Sequence, residues 1–248
     1  RTIERWWRRA THKSGFLAIV LVLFSWVVVG QGITMAVVPI LTRLYHPEQF
    51  GVYSLFTSAA SMLGVVAALR YEYAIVLPED ESAARSLVNL GLGLAAIAAA
   101  LTWILGSIVA GLIGMTTEIS ELRPWLSWLA AAVFLSSAYS IFMYWSLRQK
   151  AFTSLAISRV VIARAMASVQ LIAALVFGPY TALLIAAMLV GQAAGVLFLL
   201  WKTGCRISRT VNRREIRAIA KRYSSFPKYS ALGSLLDGLS SLMPVAML

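Results

Sequence analysis

The stretch RAMASVQLIAALVFGPYTALLIAAMLVGQAAGVLFLLWK (164–202) decides how this chain folds. Between Arg164 and Lys202 lie 37 consecutive uncharged residues. As a single helix they would extend ~55 Å at the helical rise, nearly twice the thickness of a bilayer's hydrocarbon core. Gly178-Pro179 is a turn signal and divides the run. The second part, Tyr180 to Trp201, has the length of one membrane span, for which ~20 apolar residues suffice. The first part, Ala165 to Phe177, is too short and reaches span length only if it begins near Ile157. The fifth span therefore carries Arg159 and Arg164 inside it.

Working outward, the other spans are marked by gaps between charges. No charged residue occurs between Lys13 and Arg43, Glu48 and Arg70, Arg85 and Glu118, or Arg123 and Arg148. These gaps place spans at about 16–41, 50–69, 87–113 and 125–147, one helix each. A basic N-terminus before a long apolar run resembles a signal peptide, but the run is too long and lacks a small-residue cleavage site. A last apolar run begins at Tyr229 and reaches Leu248, interrupted by Asp237. It reads as the start of a seventh span, and the chain, which lacks an initial Met, reads as part of a longer protein. The expected organisation is a basic tail (1–15), a six-helix lobe (16–201), a basic linker (202–228) and a partial seventh helix (229–248). The fold class is all-α and integral to a membrane.

Composition agrees. The chain is 60% hydrophobic and 13% charged, whereas soluble domains are about half apolar and about a quarter charged. The net charge of +12 does not signify a nucleic-acid binder, because the cations sit at the ends of apolar runs rather than in a basic domain. Their distribution sets an orientation. Eighteen Lys and Arg residues fall on one side: in the N-terminal tail, the loops after the second and fourth spans, and the segment after the sixth. The opposite side has only Arg43 and Arg123. By the positive-inside rule the N-terminus is cytoplasmic. Trp6, Trp7, Trp125, Trp145 and Trp201 fall near span ends, as an aromatic belt would. In 202–228, Ile216, Ile219, Ala220 and Tyr223 repeat at helical spacing among basic residues, the pattern of an amphipathic helix lying on the inner leaflet.

Several chemistries are missing from the sequence. There is no P-loop motif and no H-E-x-x-H. His12 and His46 lie outside the spans. One cysteine, Cys205, makes neither a disulfide nor a thiolate zinc cluster. The first six spans contain no acid, so paired carboxylates for catalysis inside the membrane are lacking. The reading is of a non-enzyme without cofactor or metal. Glu79-Asp80-Glu81 precedes the third helix and favours its N-terminal dipole. Arg70 and Glu72 flank Tyr71 and read as a surface ion pair. Ser54, Ser58 and Ser61, and the pair Gly191 and Gly195, read as helix-packing stripes. Pro39 is expected to kink or loosen the first helix.

The remaining polar groups inside spans are the candidate site. An ionisable residue in a span is costly and faces a bundle interior or a wet cavity. Arg159 is near the cytoplasmic end, where it can snorkel. Arg164 is ~7.5 Å deeper. Gln170 shares nearly the same face as Arg159, and Ser168 is one turn after Arg164. The first span offers Gln31 and Thr34. Asp237 is the one acid within a span, a candidate ion-coupling site or partner for Arg164.

Three stretches, ILTRLYHPEQFGVYSLF (40–56), LRYEYAIVLPEDESAA (69–84) and FPKYSALGSLLDGLSSLMPVAML (226–248), resemble the oligosaccharide flippases of polysaccharide export. These are the Wzx-type proteins of the multidrug/oligosaccharidyl-lipid/polysaccharide superfamily. The resemblance implies two six-helix lobes, of which this chain would supply the N-terminal one, and residence in the bacterial inner membrane. It implies transfer of undecaprenyl-diphosphate-linked oligosaccharide between leaflets by alternating access, in partnership with membrane lipids, a polysaccharide polymerase and a chain-length regulator. On that reading Arg164, Arg159 and Arg43 would meet the diphosphate. Gln31, Gln170 and Ser168 would hydrogen-bond sugar, and Arg70 would receive the headgroup at the cytoplasmic entry. Two rivals are a drug or metabolite exporter of the same superfamily, which would place acids in these spans, and a membrane-embedded polymerase or glycosyltransferase. The second would need a larger external loop or an intramembrane acid.

Overall fold

A computed structural model describes residues 15–113, 125–205 and 219–223. The basic tail 1–14, the loop 114–124 with Arg123, most of the linker, and the expected seventh helix with Asp237 lie outside the described residues. Six long helices make up the described chain: α1 (Gly15–Leu44), α2 (Pro47–Ala67), α3 (Glu81–Ile113), α4 (Leu126–Arg148), α5 (Phe152–Phe177) and α6 (Thr181–Thr203), with a 3-10 turn at Tyr71–Val76 between α2 and α3. They correspond one to one with the six expected spans. Helices α2 to α6 are each long and apolar enough to cross a membrane, and α1 adds an apolar stretch at Val28–Leu44. The chain is an all-α, multi-pass membrane protein.

The helix ends follow local chemistry. Pro47 occupies the first turn of α2, where its missing N–H costs nothing. The Gln49 side chain accepts from the His46 N–H at 3.0 Å and donates to the Pro179 carbonyl. That side chain ties the α1–α2 corner to the α5–α6 turn. The Tyr45 hydroxyl, in the same corner, donates to the Gln170 carbonyl at 3.3 Å. α5 starts at Phe152, about one turn before the expected position. α3 starts at Glu81, so the acidic group does lie at its N-terminus, and Glu81 pairs with Arg85 at 2.7 Å.

Packing runs as a chain of neighbours. α1 lies on α5, α5 on α6, α6 on α4, and α4 on α3, while α2 sits across α4 and α6. One core cluster joins Tyr71, Ile75, Leu87, Ile141, Phe142, Trp145 and Leu199. A second, around Phe56, Val133 and Ile185, seats α2. Trp145 is 1% exposed and belongs to the core rather than to an aromatic belt; it stands where α4 meets the 3-10 turn. Trp201, at 78% exposure, does face outward. Ile97, Leu101, Ile104, Leu105 and Ile108 of α3 are also exposed. An apolar face this long in water would be an aggregation liability; on a membrane protein it is the surface that meets lipid.

The α5–α6 contact depends on two glycines, as the small-residue spacing predicts. A Cβ on Gly191 would lie 3.1 Å from the Ile162 carbonyl oxygen and 3.1 Å from Met166 Cβ. One on Gly195 would come within 2.6 Å of the Ile162 side chain. Small residues let two helices approach closely where lipid offers no hydrophobic drive for association. Replacing Gly191 with Leu is expected to cost about 1–3 kcal/mol through overpacking against a carbonyl that cannot retreat. The check is a lowered thermal midpoint of the purified protein in detergent, with Gly191→Ala intermediate. An unchanged midpoint would mean that the two helices do not rely on this approach. The serine stripe behaves differently: Ser54, Ser58 and Ser61 are exposed, and α2 packs through Phe56, Ala60 and Ala67 instead. Ser54 donates to the Gly51 carbonyl at 2.9 Å rather than to a neighbouring helix.

Candidate functional site

Arg164 is the thirteenth of the 26 residues of α5, ~18 Å from either end at the helical rise. Its side chain is exposed. α6 seats on α5 through Ile162 and Met166, each two residues from Arg164 and so about 160–200° around the helix. Arg164 therefore points away from α6 and is exposed at the middle of α5, one turn after Val160, which meets Gly30 of α1. Among the described residues no carboxylate lies within ion-pair distance of it. Ser168, one turn on, is exposed on the same side.

Arg159 is also exposed, but five residues before Arg164 it lies about 140° away around α5. Its backbone runs beside Gly30 of α1, whose Cβ position is 3.9 Å from the Arg159 carbonyl. The structure thus presents the two guanidiniums on different sides of one helix. Gln170 shares the Arg159 face, as expected, but is 3% exposed. The corner holding Tyr45 closes over it, so in this arrangement Gln170 is a packing residue between α1 and α5. Gln31 is exposed near the middle of α1, and Arg43 is exposed in the last turn of that helix. Thr34 spends its hydroxyl on the Gly30 carbonyl at 3.2 Å, while Thr42 bonds to the Pro39 carbonyl at 3.0 Å.

At the other end of the bundle, the 3-10 turn gathers a second polar group. Leu69 and Arg70 both take left-handed backbone, with φ of 48° and 60°, a conformation that costs roughly 1–2 kcal/mol for a residue with a Cβ. The bend turns Arg70 back over its own turn. Its guanidinium donates to the Tyr73 hydroxyl at 2.5 Å and lies 4.9 Å from the centre of that ring. It also lies 3.7 Å from Glu72. Glu72 is not the surface residue expected from its hydrophilicity; it is 3% exposed, because the short turn packs flat against α3 and α4. Burial pushes its carboxyl above the usual carboxylate range, opposed by its own backbone N–H and by Arg70.

Arg148, at the end of α4, holds the same turn in place. It donates to the Ile75 carbonyl at 3.3 Å, to the Pro78 carbonyl, and to the Glu79 carbonyl at 3.0 Å. In the sequence it reads only as one more loop cation. Of the linker, residues 219–223 are described. Ile219 and Tyr223 pack onto the core around the turn, and the Tyr71 hydroxyl donates to the Ala220 carbonyl at 3.1 Å. Lys221 and Arg222 face outward. The apolar side of this piece therefore rests on protein rather than on lipid. Cys205, where α6 ends, has its thiol pushed up to about 11, mainly by burial, so it is a protonated, unreactive thiol at neutral pH.

Compared with known proteins, residues 40–243 match the model of a family described as polysaccharide biosynthesis protein. No curated protein and no solved structure matches the chain.

Proposed function

This chain belongs to the polysaccharide biosynthesis protein family, and from that premise we propose that it carries a lipid-linked oligosaccharide, with undecaprenyl diphosphate as the anchor, from the inner to the outer leaflet of the bacterial inner membrane. The N-terminus lies in the cytoplasm, as the split of Lys and Arg requires. The protein catalyses no covalent step. Two lobes alternate between facing inward and outward, and the described helices form one of them.

The observation that carries this reading is Arg164, exposed at the midpoint of α5. A guanidinium facing acyl chains at mid-bilayer costs ~2.5–3.5 kcal/mol on insertion scales and more in simulations. Among the described residues no carboxylate pairs with the side chain. The arrangement is economical if its face lines a water-filled cleft that an anion enters. A diphosphate suits it, because guanidinium forms paired, charge-assisted hydrogen bonds to phosphate oxygens. Arg43 and Arg159 supply cations towards the two ends of the path. Exposed Gln31 and Ser168, together with the serines of α2, supply hydrogen bonds of the kind sugar hydroxyls take. Arg70 stands at the cytoplasmic mouth. The polyprenyl tail stays in the bilayer throughout.

The test uses the full-length protein in liposomes holding a fluorescent undecaprenyl-diphosphate-linked oligosaccharide and a membrane-impermeant quencher outside. The expected result is that the whole pool becomes quenchable, whereas in protein-free vesicles only the outer-leaflet half does. An inner pool that stays protected would refute transport. Elongation of the sugar chain without leaflet exchange would favour a polymerase instead.

A further inference from the structure

Among the described residues, the transport reading leaves one buried carboxyl group unused. Glu72 is the second residue of the 3-10 turn, and its Oε2 is buried without a hydrogen-bond partner in the protein. Its other oxygen is 3.7 Å from Arg70, too long for a hydrogen bond and close enough for strong Coulombic attraction. The same guanidinium nitrogen already donates to Tyr73, so that nitrogen is shared between the hydroxyl and the carboxylate. A buried carboxylate that shares its cation and has a bare oxygen is held in its charged form only weakly.

We propose that Glu72 is a reversible proton-binding site, at which Arg70 and a proton alternate as the partner of the carboxylate. When Arg70 stays, Glu72 is ionised and paired. When Arg70 swings towards another anion, the carboxylate would be stranded in a low-dielectric pocket, and it takes a proton on Oε2 instead. This deepens the transport reading and rests on it for its consequence: anion capture at the mouth draws in a proton, and by reciprocity a proton on Glu72 favours anion capture.

The other charged and titratable groups around the turn support this assignment. On the turn itself, Tyr71 is committed to the Ala220 carbonyl and Tyr73 to Arg70. From α4, Tyr144 stacks edge-on against Tyr73 at 4.9 Å, and Arg148 is occupied by three backbone carbonyls. From α3, Arg85 pairs with Glu81. From the linker, Lys221 and Arg222 face solvent. Among the described residues, Arg70 is the one cation within ion-pair distance of Glu72. Because Tyr71 joins the turn to the linker, a change in the state of Glu72 also reaches the segment that leads out of the lobe.

The experiment is an infrared pH titration of the full-length protein in nanodiscs, following the carbonyl band of protonated carboxyl groups. Wild type is compared with Glu72→Gln and with Arg70→Gln. Support is a titrating band present in wild type and missing in E72Q, with a midpoint about one pH unit or more higher in R70Q, since a lost cation at this distance moves a carboxyl by that much. Identical wild-type and E72Q spectra, or an R70Q midpoint equal to that of wild type, would overturn the proposal. Should E72Q fail to accumulate, the R70Q midpoint against wild type decides alone. No substrate is needed, so a missing band leaves the transport reading standing, and a failed leaflet-exchange assay leaves the proton site standing.

Discussion

Cells carrying Arg164→Ala are expected to lose surface polysaccharide while keeping the protein inserted at wild-type abundance. The two halves of that expectation have separate grounds. Abundance is preserved because Arg164 is exposed and faces away from the α6 seat at Ile162 and Met166. Truncating it strands no buried partner and opens no cavity. Activity is lost because a hydrogen bond to a charged group contributes about 1.5–3 kcal/mol. Two such bonds to a diphosphate thus account for roughly a hundredfold or more in binding or rate. Arg164→Lys is expected to recover only part, since an ammonium lacks the planar fork that engages two phosphate oxygens. Surface polysaccharide and membrane abundance, measured on the same cells, separate the outcomes. Normal polysaccharide in the alanine strain would remove Arg164 from the mechanism.

Arg148→Ala should fail in the opposite manner, with the protein itself disappearing from the membrane. Arg148 satisfies the carbonyls of Ile75, Pro78 and Glu79 in a segment whose short 3-10 turn leaves them without regular helical partners. Removing the guanidinium leaves the half-buried Ile75 and Pro78 carbonyls unpaired, while water can replace it at the exposed Glu79 carbonyl, at a cost on the order of 3 kcal/mol. It also frees the segment that buries Glu72 and docks residues 219–223. A loss of that size changes steady-state abundance severalfold in a cell. A single ammonium cannot reach three diverging carbonyls, so Arg148→Lys is expected to rescue little. The readouts are membrane abundance and the thermal midpoint in detergent. Wild-type values for both would show that the turn holds its shape unaided. Read together, the two arginine variants distinguish a residue that handles substrate from one that holds the lobe together.

Much of this protein could be read along the chain. The gaps between charges located four of the six helices, because hydrocarbon disfavours ionised groups, and the Gly178-Pro179 break in a fifth gap separated the other two. The two misplaced starts have local causes. Ser154 and Ser158 of α5 look polar in the sequence, yet both are buried, and the Ser158 hydroxyl lies 3.0 Å from the Tyr139 hydroxyl. The start of α3 was counted from Arg85, but that cation lies inside the helix, paired with Glu81 one turn before it. The glycine pair of α6 was legible because no larger residue allows such an approach.

Depth along each helix was therefore settled by sequence, while rotation about each helix was not. In water, an apolar stripe against a polar one tells which side of a helix faces inward. In a membrane both sides are apolar, and that contrast fades. Hence the α2 serines, expected in a helix contact, face outward, and Gln170, expected beside the path, is packed under Tyr45. Trp145, expected at the interface, sits in the core. Glu72 and Arg148 were unreadable for a related reason: both act through a backbone turn that exists only once α3, α4 and the linker close around it. Sequence alone determined that Arg164 lies inside a span, ~7.5 Å deeper than Arg159. Only the packing of α6 on its opposite side, through glycines that let the helices nearly touch, decided that its guanidinium turns away from that helix and stays exposed.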